Sequence, residues 1–265
     1  MAIITLTTDF GIQDGFVGVM KGIILGIAPD TQIVDLSHQI APQNVLQGAR
    51  LLRRHTRYFP PETVHIGVVD PGVGTTRRAL AARIGNQRYV GPDNGLFGPL
   101  IQDARSAGEP VEIVHLNNPD YWLERVSRTF HGRDLFAPVG AHLAAGASLY
   151  ALGTPLEDPV MLDLPAPVQT GQGWRAQISG IDVFGNLATN LPADLLPANG
   201  EIRMKIKGVE ILGLAASYGD CPLGELIALI DSEGYLEAAV VNGSAALRLG
   251  AAVGDEVLVS VRRTT

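Results

Sequence analysis

The sequence predicts an α/β N-terminal domain with a mostly parallel, Rossmann-like sheet, followed by a small all-β barrel or sandwich domain. Three observations carry this. Short apolar runs alternate with helical periods over residues 1–153, and a proline-rich stretch follows at 154–170. Beyond it, over 171–265, strand-like runs recur with no helices between them. Strand–helix–strand repeats with short links imply parallel strands covered by helices. Closely spaced short strands imply an antiparallel barrel or sandwich.

Residues 2–8 form a buried-strand run ending in Thr8-Asp9-Phe10-Gly11. Asp14 precedes a helix over 15–27, where Phe16, Val17, Met20, Ile23, Ile24 and Ile27 recur at helical spacing. Gly18, Gly22 and Gly26 lie on one face of it. Each interior glycine costs roughly 1 kcal/mol against alanine, so close backbone packing on that face is expected. A strand over 33–36 leads into Ser37-His38. A helix over 44–58 follows, apolar at Leu46, Ala49, Leu51, Leu52 and Tyr58, with Arg50, Arg53, Arg54 and Arg57 on its solvated side. His38 and His55 lack nearby ligand partners and read as ordinary polar residues. A strand over 64–69 comes next, then a hairpin of 79–84 and 88–90 turning at Gly85-Asn86. Gly91-Pro92-Asp93-Asn94-Gly95 carries an Asn-Gly turn signal and reads as structural. A strand over 111–116 precedes Phe130-His131-Gly132-Arg133-Asp134 and a helix over 134–145. In the second domain, strands are expected over 174–181, 201–206, 226–230, 235–240 and 256–261.

At 265 residues the chain can bury a sizeable core. With 46% hydrophobic and 18% charged residues, its 31 glycines and 17 prolines predict tight turns rather than disorder. A net charge of −7 argues against nucleic acid or an anionic membrane as partner. The single cysteine, Cys221, excludes internal disulfides and thiolate-rich metal sites. The first residues show no basic, signal-like segment, and the apolar run over 16–28 is too short to span a bilayer. A cytoplasmic protein acting on a small molecule is expected.

The run ending in Ile66, Val68 and Val69 turns sharply through Asp70-Pro71-Gly72-Val73-Gly74. Open α/β sheets keep ligands just past the carboxyl ends of their strands. Asp70 falls there, and Arg77, a permanent cation, can fold back on it; a plain surface turn fits the same residues. Asp9 occupies another strand tip, a position suited to holding ribose hydroxyls. Asp14 suits a helix cap as well. His131 lies just ahead of a helix N-terminus, whose dipole keeps an imidazole neutral, and Arg133 with Asp134 can be a local ion pair and cap. Asp182-Val183-Phe184-Gly185-Asn186, Ser232-Glu233-Gly234 and Asn242-Gly243-Ser244-Ala245 are polar loops, each by itself an ordinary turn. No metal is expected, because neither paired histidines at helical spacing nor a calcium-type loop occurs. Gly72-Val73-Gly74 lacks the third glycine of a dinucleotide fingerprint.

Together with Thr7-Thr8-Asp9-Phe10-Gly11, Gly18-Val19-Met20-Lys21-Gly22 and Gly91-Pro92-Asp93-Asn94-Gly95, these motifs resemble the S-adenosyl-L-methionine (SAM) hydroxide adenosyltransferases. Those are SAM hydrolases that form adenosine, relatives of the SAM-dependent fluorinases and chlorinases. The motifs run in order nearly end to end. The resemblance implies attack of water or hydroxide on ribose C5′, giving adenosine and L-methionine, with SAM as substrate and no cofactor. It puts the family's Asp–Arg–His set on Asp70, Arg77 and His131. It implies that Asp9 binds the ribose hydroxyls and that Asp14, Asp182 and Ser232 bind the methionine end. Phe184 and Asn186 then lie near the adenine, with Phe130 and Asn242 also among the substrate-binding positions. It further implies a homotrimer with the site at subunit interfaces, the second-domain loops coming from an adjacent subunit.

Halogenase members carry Tyr and a small hydroxyl residue in the Asp-Pro-Gly-Val loop and lack the histidine. Asp70, Val73 and His131 therefore argue against halide as nucleophile. Glu233 stands where the halogenases carry arginine, a departure at the methionine end. Two other readings stand beside the hydrolase: a non-catalytic SAM or adenosine sensor, and a halogenase-like SAM adenosyltransferase. The complete Asp70–Arg77–His131 set favours an enzyme, since a sensor needs no activated water.

Overall fold

A computed structural model describes residues 1–197 and 201–262, which fall into two compact units, Met1–Leu164 and Pro165–Thr265. The first unit runs β1 (Ile3–Thr8), α1 (Phe16–Ile27), β2 (Gln32–Ser37), α2 (Val45–His55), β3 (Val64–Val68), β4 (Ala79–Ile84), β5 (Gln87–Pro92), α3 (Gly98–Ser106), β6 (Val111–Leu116), α4 (Ala137–Ala144) and β7 (Gly153–Pro155). Its strands form one sheet in the order β2-β1-β3-β5-β4-β6-β7. β1 pairs parallel with β2 and β3, and β3 with β5. β4 pairs antiparallel with β5 and β6, and β6 with β7. The sheet is therefore mixed, with its parallel strands gathered at one end, rather than mostly parallel. The Gly85-Asn86 turn starts the antiparallel part, which β6 and β7 then extend. Ile84 pairs with Gln87 across it, and so tight a connection can only join antiparallel neighbours.

Helices cover both faces, as parallel strands require. On one side Met20 and Ile24 of α1 and Val139 and Leu143 of α4 bury Ile4, Leu6, Val64 and Ile66. On the other, Ala49 and Leu52 of α2 and Ile101 and Ala104 of α3 pack with Leu80, Ala82 and Tyr89. Helix α3 is absent from the sequence expectation. It opens on Gly98-Pro99, where proline is tolerated because its missing N–H belongs to the unpaired first turn.

The glycines of α1 require a correction. Gly18, Gly22 and Gly26 are exposed, and a Cβ at any of them meets nothing within 4 Å in this chain. Close approach occurs at Gly140 of α4, where a Cβ would lie 2.4 Å from Ile66 Cδ1. Asp14 does not cap α1 either, because Gly15 takes that position without a side-chain bond. The proline-rich segment is tied down over its first part. Arg78 Nη1 donates to Asp158 Oδ1 at 2.8 Å, Val160 N donates to Asp93 Oδ1 at 2.7 Å, and Leu156 and Leu162 join the α2–α3 core.

The second unit contains β8 (Val168–Thr170), β9 (Gly173–Ile181), β10 (Leu187–Pro192), β11 (Glu201–Ile206), β12 (Val209–Leu212), β13 (Leu226–Ile230), β14 (Tyr235–Val240), a short α5 (Ala245–Leu249) and β15 (Glu256–Arg262). The antiparallel order is β12-β11-β15-β9-β10-β14-β13, with β8 on β9. The two ends, β12 and β13, approach each other, so the sheet curls toward a barrel around Ile178, Leu191, Met204 and Leu236. β10 is another strand missing from the sequence expectation. Leu187, Thr189 and Leu191 point inward in strict alternation, but Asn190 and Pro192 disguise the period. Among the described residues no helix is long and apolar enough to cross a membrane.

Candidate active site

In the order β2-β1-β3 the chain leaves β1 on one side and returns past it to β3. A crevice opens at such a switch point, beyond the carboxyl ends of the strands. Asp9 follows β1 there, and Asp70 follows β3.

The loop after β3 folds Arg77 back onto Asp70. Val73 N donates to Asp70 O at 3.2 Å, and Thr75 Oγ1 donates to Gly72 O at 2.7 Å. Arg77 Nε then donates to Asp70 Oδ1 at 2.9 Å and to Oδ2 at 3.0 Å, and Nη2 closes on Oδ2 as well. Nη2 also donates to His131 Nδ1 at 2.8 Å. The Asp70 and Arg77 side chains are only 5% and 11% exposed, and the guanidinium lies over the Phe136 ring at 5.3 Å. So dry a pair is not an ordinary surface ion pair.

His131 caps a π-helical turn, Gly132–Phe136, that runs directly into α4. The helix expected from 134 thus begins earlier and wider. Arginine has no acceptor, so Nδ1 must offer its lone pair to Nη2, and the proton of the neutral ring sits on Nε2. Burial, then the Arg77 charge, pushes the imidazole's pKa below its usual value, against opposite pulls from Asp70, Asp134 and a backbone hydrogen bond at Ser127. The helix N-terminus acts in the same direction as Arg77.

Two contacts hold the converging loops. Gly74 has φ 76°, and a Cβ there would lie 2.2 Å from Arg128 O. Only glycine lets the Asp70 loop touch the segment leading to His131. Asp134 is fully buried and accepts from Ser127 N at 2.8 Å, Ser127 Oγ at 2.6 Å and Arg133 Nε at 2.5 Å. Burial alone would raise its pKa, but Arg133 and Ser127 outweigh that and hold it low. It is a local ion pair, as its sequence suggests, and it also pins the 127–130 segment. Phe130 packs edge-on against Phe10 and Phe16, with ring centroids 5.8 and 5.2 Å away.

Asp9 Oδ2 accepts from Gln43 N at 2.7 Å, so half of that carboxylate is committed to the chain. Asp14 is exposed ahead of α1. Asn94 is structural, its amide donating to Val69 O at 2.8 Å. His38 departs from expectation. It is 5% exposed, with Nδ1 2.9 Å from Thr8 Oγ1 and Nε2 3.1 Å from Asp35 Oδ1. The Asp35-x-x-His38 spacing beside a strand-tip Thr-Asp pair was the signal available for it.

In the second unit Asp182 and Asn186 come together. Asp182 Oδ1 accepts from Phe184 N and Asn186 N, each at 2.9 Å, and Asn186 Nδ2 donates to Asp182 Oδ2 at 2.9 Å. This turn through an Asp side chain leaves Phe184 73% exposed. Ala246 N donates to Gly185 O at 3.0 Å, which joins this loop to the one carrying exposed Asn242 at φ 53°. Ser232 is exposed on a separate turn, where Asp231 Oδ1 accepts from Glu233 N and Tyr235 N at 2.9 Å. Among the described residues no group of three or more His, Cys, Asp and Glu side chains is placed to hold a metal.

A dry carboxylate–guanidinium–imidazole cluster past the ends of parallel strands defines the class: an α/β protein of enzyme type. Residues 4–153 match the SAM hydroxide adenosyltransferase N-terminal domain and 176–258 the C-terminal domain. The chain belongs to the SAM hydroxide adenosyltransferase family. It is 39% identical over 262 residues to the (R)-S-adenosyl-L-methionine hydrolase of Salinispora arenicola, covering 97% of each. It is 30% identical over 294 residues to the fluorinase of Nocardia brasiliensis, covering 98% of this chain and 97% of the fluorinase. The crystal structure of an uncharacterized conserved protein from Thermotoga maritima matches with a TM-score of 0.90 at 35% identity, over 98% of this chain and 100% of that one.

Proposed function

We propose that this chain hydrolyses S-adenosyl-L-methionine to adenosine and L-methionine, in the (R)-sulfonium form that the name of its Salinispora relative specifies. The observation that carries the reading is Arg77 bridging Asp70 and His131. A water oxygen attacks ribose C5′, the C5′–S bond breaks, and its electron pair returns to sulfur. The sulfonium leaves as the neutral thioether of methionine, and the water gives up one proton. A fixed guanidinium beside the nucleophile favours hydroxide character there, the more so where little water competes. Asp70 keeps lone pairs outside its contact with Arg77 and takes the water's proton. His131, whose Nδ1 is occupied by Arg77, orients the water through its Nε2–H. Base assistance of this kind is worth about 10²–10⁴-fold.

In the same proposal the Rossmann-like crevice past β1 and β3 receives the nucleoside. The Asp9 oxygen not bound by Gln43 takes the ribose hydroxyls, and Phe130 supplies an apolar wall. Asp14, Asp182 and Ser232 serve the methionine end, with Phe184, Asn186 and Asn242 on the adenine side. The second-unit loops come from a neighbouring copy in a homotrimer. Support for assembly lies on α1, where Phe16, Val19 and Leu25 are 44–45% exposed beside the bare glycine face. SAM is the substrate, no cofactor or metal takes part, and the protein is cytoplasmic.

The test is incubation of the pure protein with (R)- and (S)-SAM, with and without chloride, and chromatography for adenosine and methionine. His131→Ala runs in parallel. Adenosine from wild type, lost in a variant that still binds SAM, establishes the hydrolase. 5′-Chloro-5′-deoxyadenosine indicates a halogenase-like enzyme, and tight binding without any product indicates a sensor.

A further inference from the structure

The turn that carries Asp9 is held by side chains the hydrolysis does not use. Phe10 N donates to Thr8 Oγ1 at 3.2 Å, so the hydroxyl proton of Thr8 is free to go to His38 Nδ1, 2.9 Å away. The other ring nitrogen, Nε2, lies 3.1 Å from Asp35 Oδ1. Asp35 Oδ2 accepts in turn from Lys21 Nζ at 2.6 Å. His38 grips the turn a second time through its backbone, where its carbonyl accepts from Gly11 N at 2.8 Å. Only Asp9 and Phe10 lie between these two anchors, and the Phe10 ring is fixed against Phe16 and Phe130. A turn after a strand needs none of this. Burying an imidazole costs free energy unless it is bonded, and an apolar side chain would fill the space without that demand.

We propose that His38 is a positioning residue for substrate. Through Thr8 and Gly11 it fixes the turn so that the free oxygen of Asp9 meets the ribose hydroxyls. On its other side the ring faces Asp35, which Lys21 holds in place. The proposal rests on the reading of Asp9 as the ribose carboxylate, and its test separates the two.

Calorimetric titration with adenosine and with 2′,3′-dideoxyadenosine, which lacks both hydroxyls, is done on wild type, Asp9→Asn, His38→Leu, His38→Asn and the Asp9→Asn/His38→Leu double variant. Thr8→Val, close to isosteric, replaces His38→Leu if the latter does not fold. His38→Leu is expected to lose about tenfold in affinity for adenosine and less than about twofold for the dideoxy compound. Its loss should vanish in the double variant, and His38→Asn, whose amide oxygen can accept from Thr8, should recover part of it. Equal losses for both ligands, or losses that add in the double variant, overturn the proposal. If Asp9→Asn discriminates between the ligands as well as wild type does, the Asp9 reading falls and takes the positioning role with it. If Asp9→Asn loses discrimination while His38→Leu keeps it, only the positioning role falls.

Discussion

Arg77 reaches His131 Nδ1 at 2.8 Å with the same nitrogen that closes on Asp70. One guanidinium therefore fixes the orientation of a carboxylate and the protonation of an imidazole at once. A lysine has neither the fork nor the reach to do both. Arg77→Lys should lower kcat/KM for adenosine formation by about a hundredfold or more. Activity within a few-fold of wild type in a steady-state assay would remove Arg77 from the mechanism.

The same contact fixes how the site responds to acid. With its pKa below the ordinary value of 6.5, lowered by burial and then by Arg77, His131 should be neutral at pH 7. Arg77→Met removes the positive neighbour, so the His131 titration should move upward, toward 6.5. An NMR titration of its ring Cε1–H follows this directly, with His131→Ala giving the assignment. An unmoved or lowered midpoint would contradict the coupling.

A second histidine bears on stability. His65 is fully buried, bonded through Nδ1 to Thr5 Oγ1 at 2.7 Å and stacked on Tyr89. Burial pushes its pKa down to about 3, against a smaller upward pull from Gln87. The unfolded chain then takes up a proton near 6.5 that the folded chain refuses. Stability is complete above that pH and falls by about 1.4 kcal/mol per unit on going below it, until the folded ring itself protonates. Urea unfolding between pH 7.5 and 5, above the carboxylate range, should show the slope in wild type and a clearly shallower one in His65→Phe, the remainder coming from His131 and His142, whose pKa values are also lowered.

Gly74 joins the two loops that meet at the site. In Gly74→Ala the new methyl would sit 2.2 Å from Arg128 O at a φ of 76°. Both strain and clash should lower stability by about 2 kcal/mol and activity with it. Gly171→Ala, with open space around it, is the control in the same melting and turnover assays. Equal behaviour of the two variants would show that the loops do not need this contact.

Gly22 tests assembly. Gly22→Gln places a helix-forming side chain where this chain offers no obstacle, so the subunit should gain roughly half a kcal/mol or more in helix propensity. If a second copy covers α1, the same side chain should instead weaken association, visible as a lower mass by light scattering. An unchanged oligomer would remove α1 from the interface.

Much of the fold was legible because its signals are local. The apolar runs that became β1 and β3, the period of α1 and the Gly85-Asn86 hairpin each depend on a few adjacent residues. The parallel character of the sheet was overread, because pairing of β4 with β6 and of β6 with β7 is not written in either strand. The glycine stripe of α1 announced close packing, but nothing among the described residues packs against it. At the site, Asp70 and Arg77 were readable from a turn and a spacing. His131 depended on motif resemblance, since nothing near position 131 points to position 77. His38 was passed over because its partners, Thr8 and Asp35, belong to different strands.

The π-helical turn at Gly132–Phe136 makes the reach of His131 a matter of chain length. Each residue of an α-helix turns the backbone by about 100°, so losing one residue from this wider turn would swing the imidazole away from Arg77 with every side chain in the cluster still present. Substitution scans of 132–136 can therefore leave the ring aimed correctly while a single-codon deletion does not. The cluster depends on the length of this turn as well as on residue identity, so a one-residue insertion or deletion here disturbs the site without touching any of its side chains.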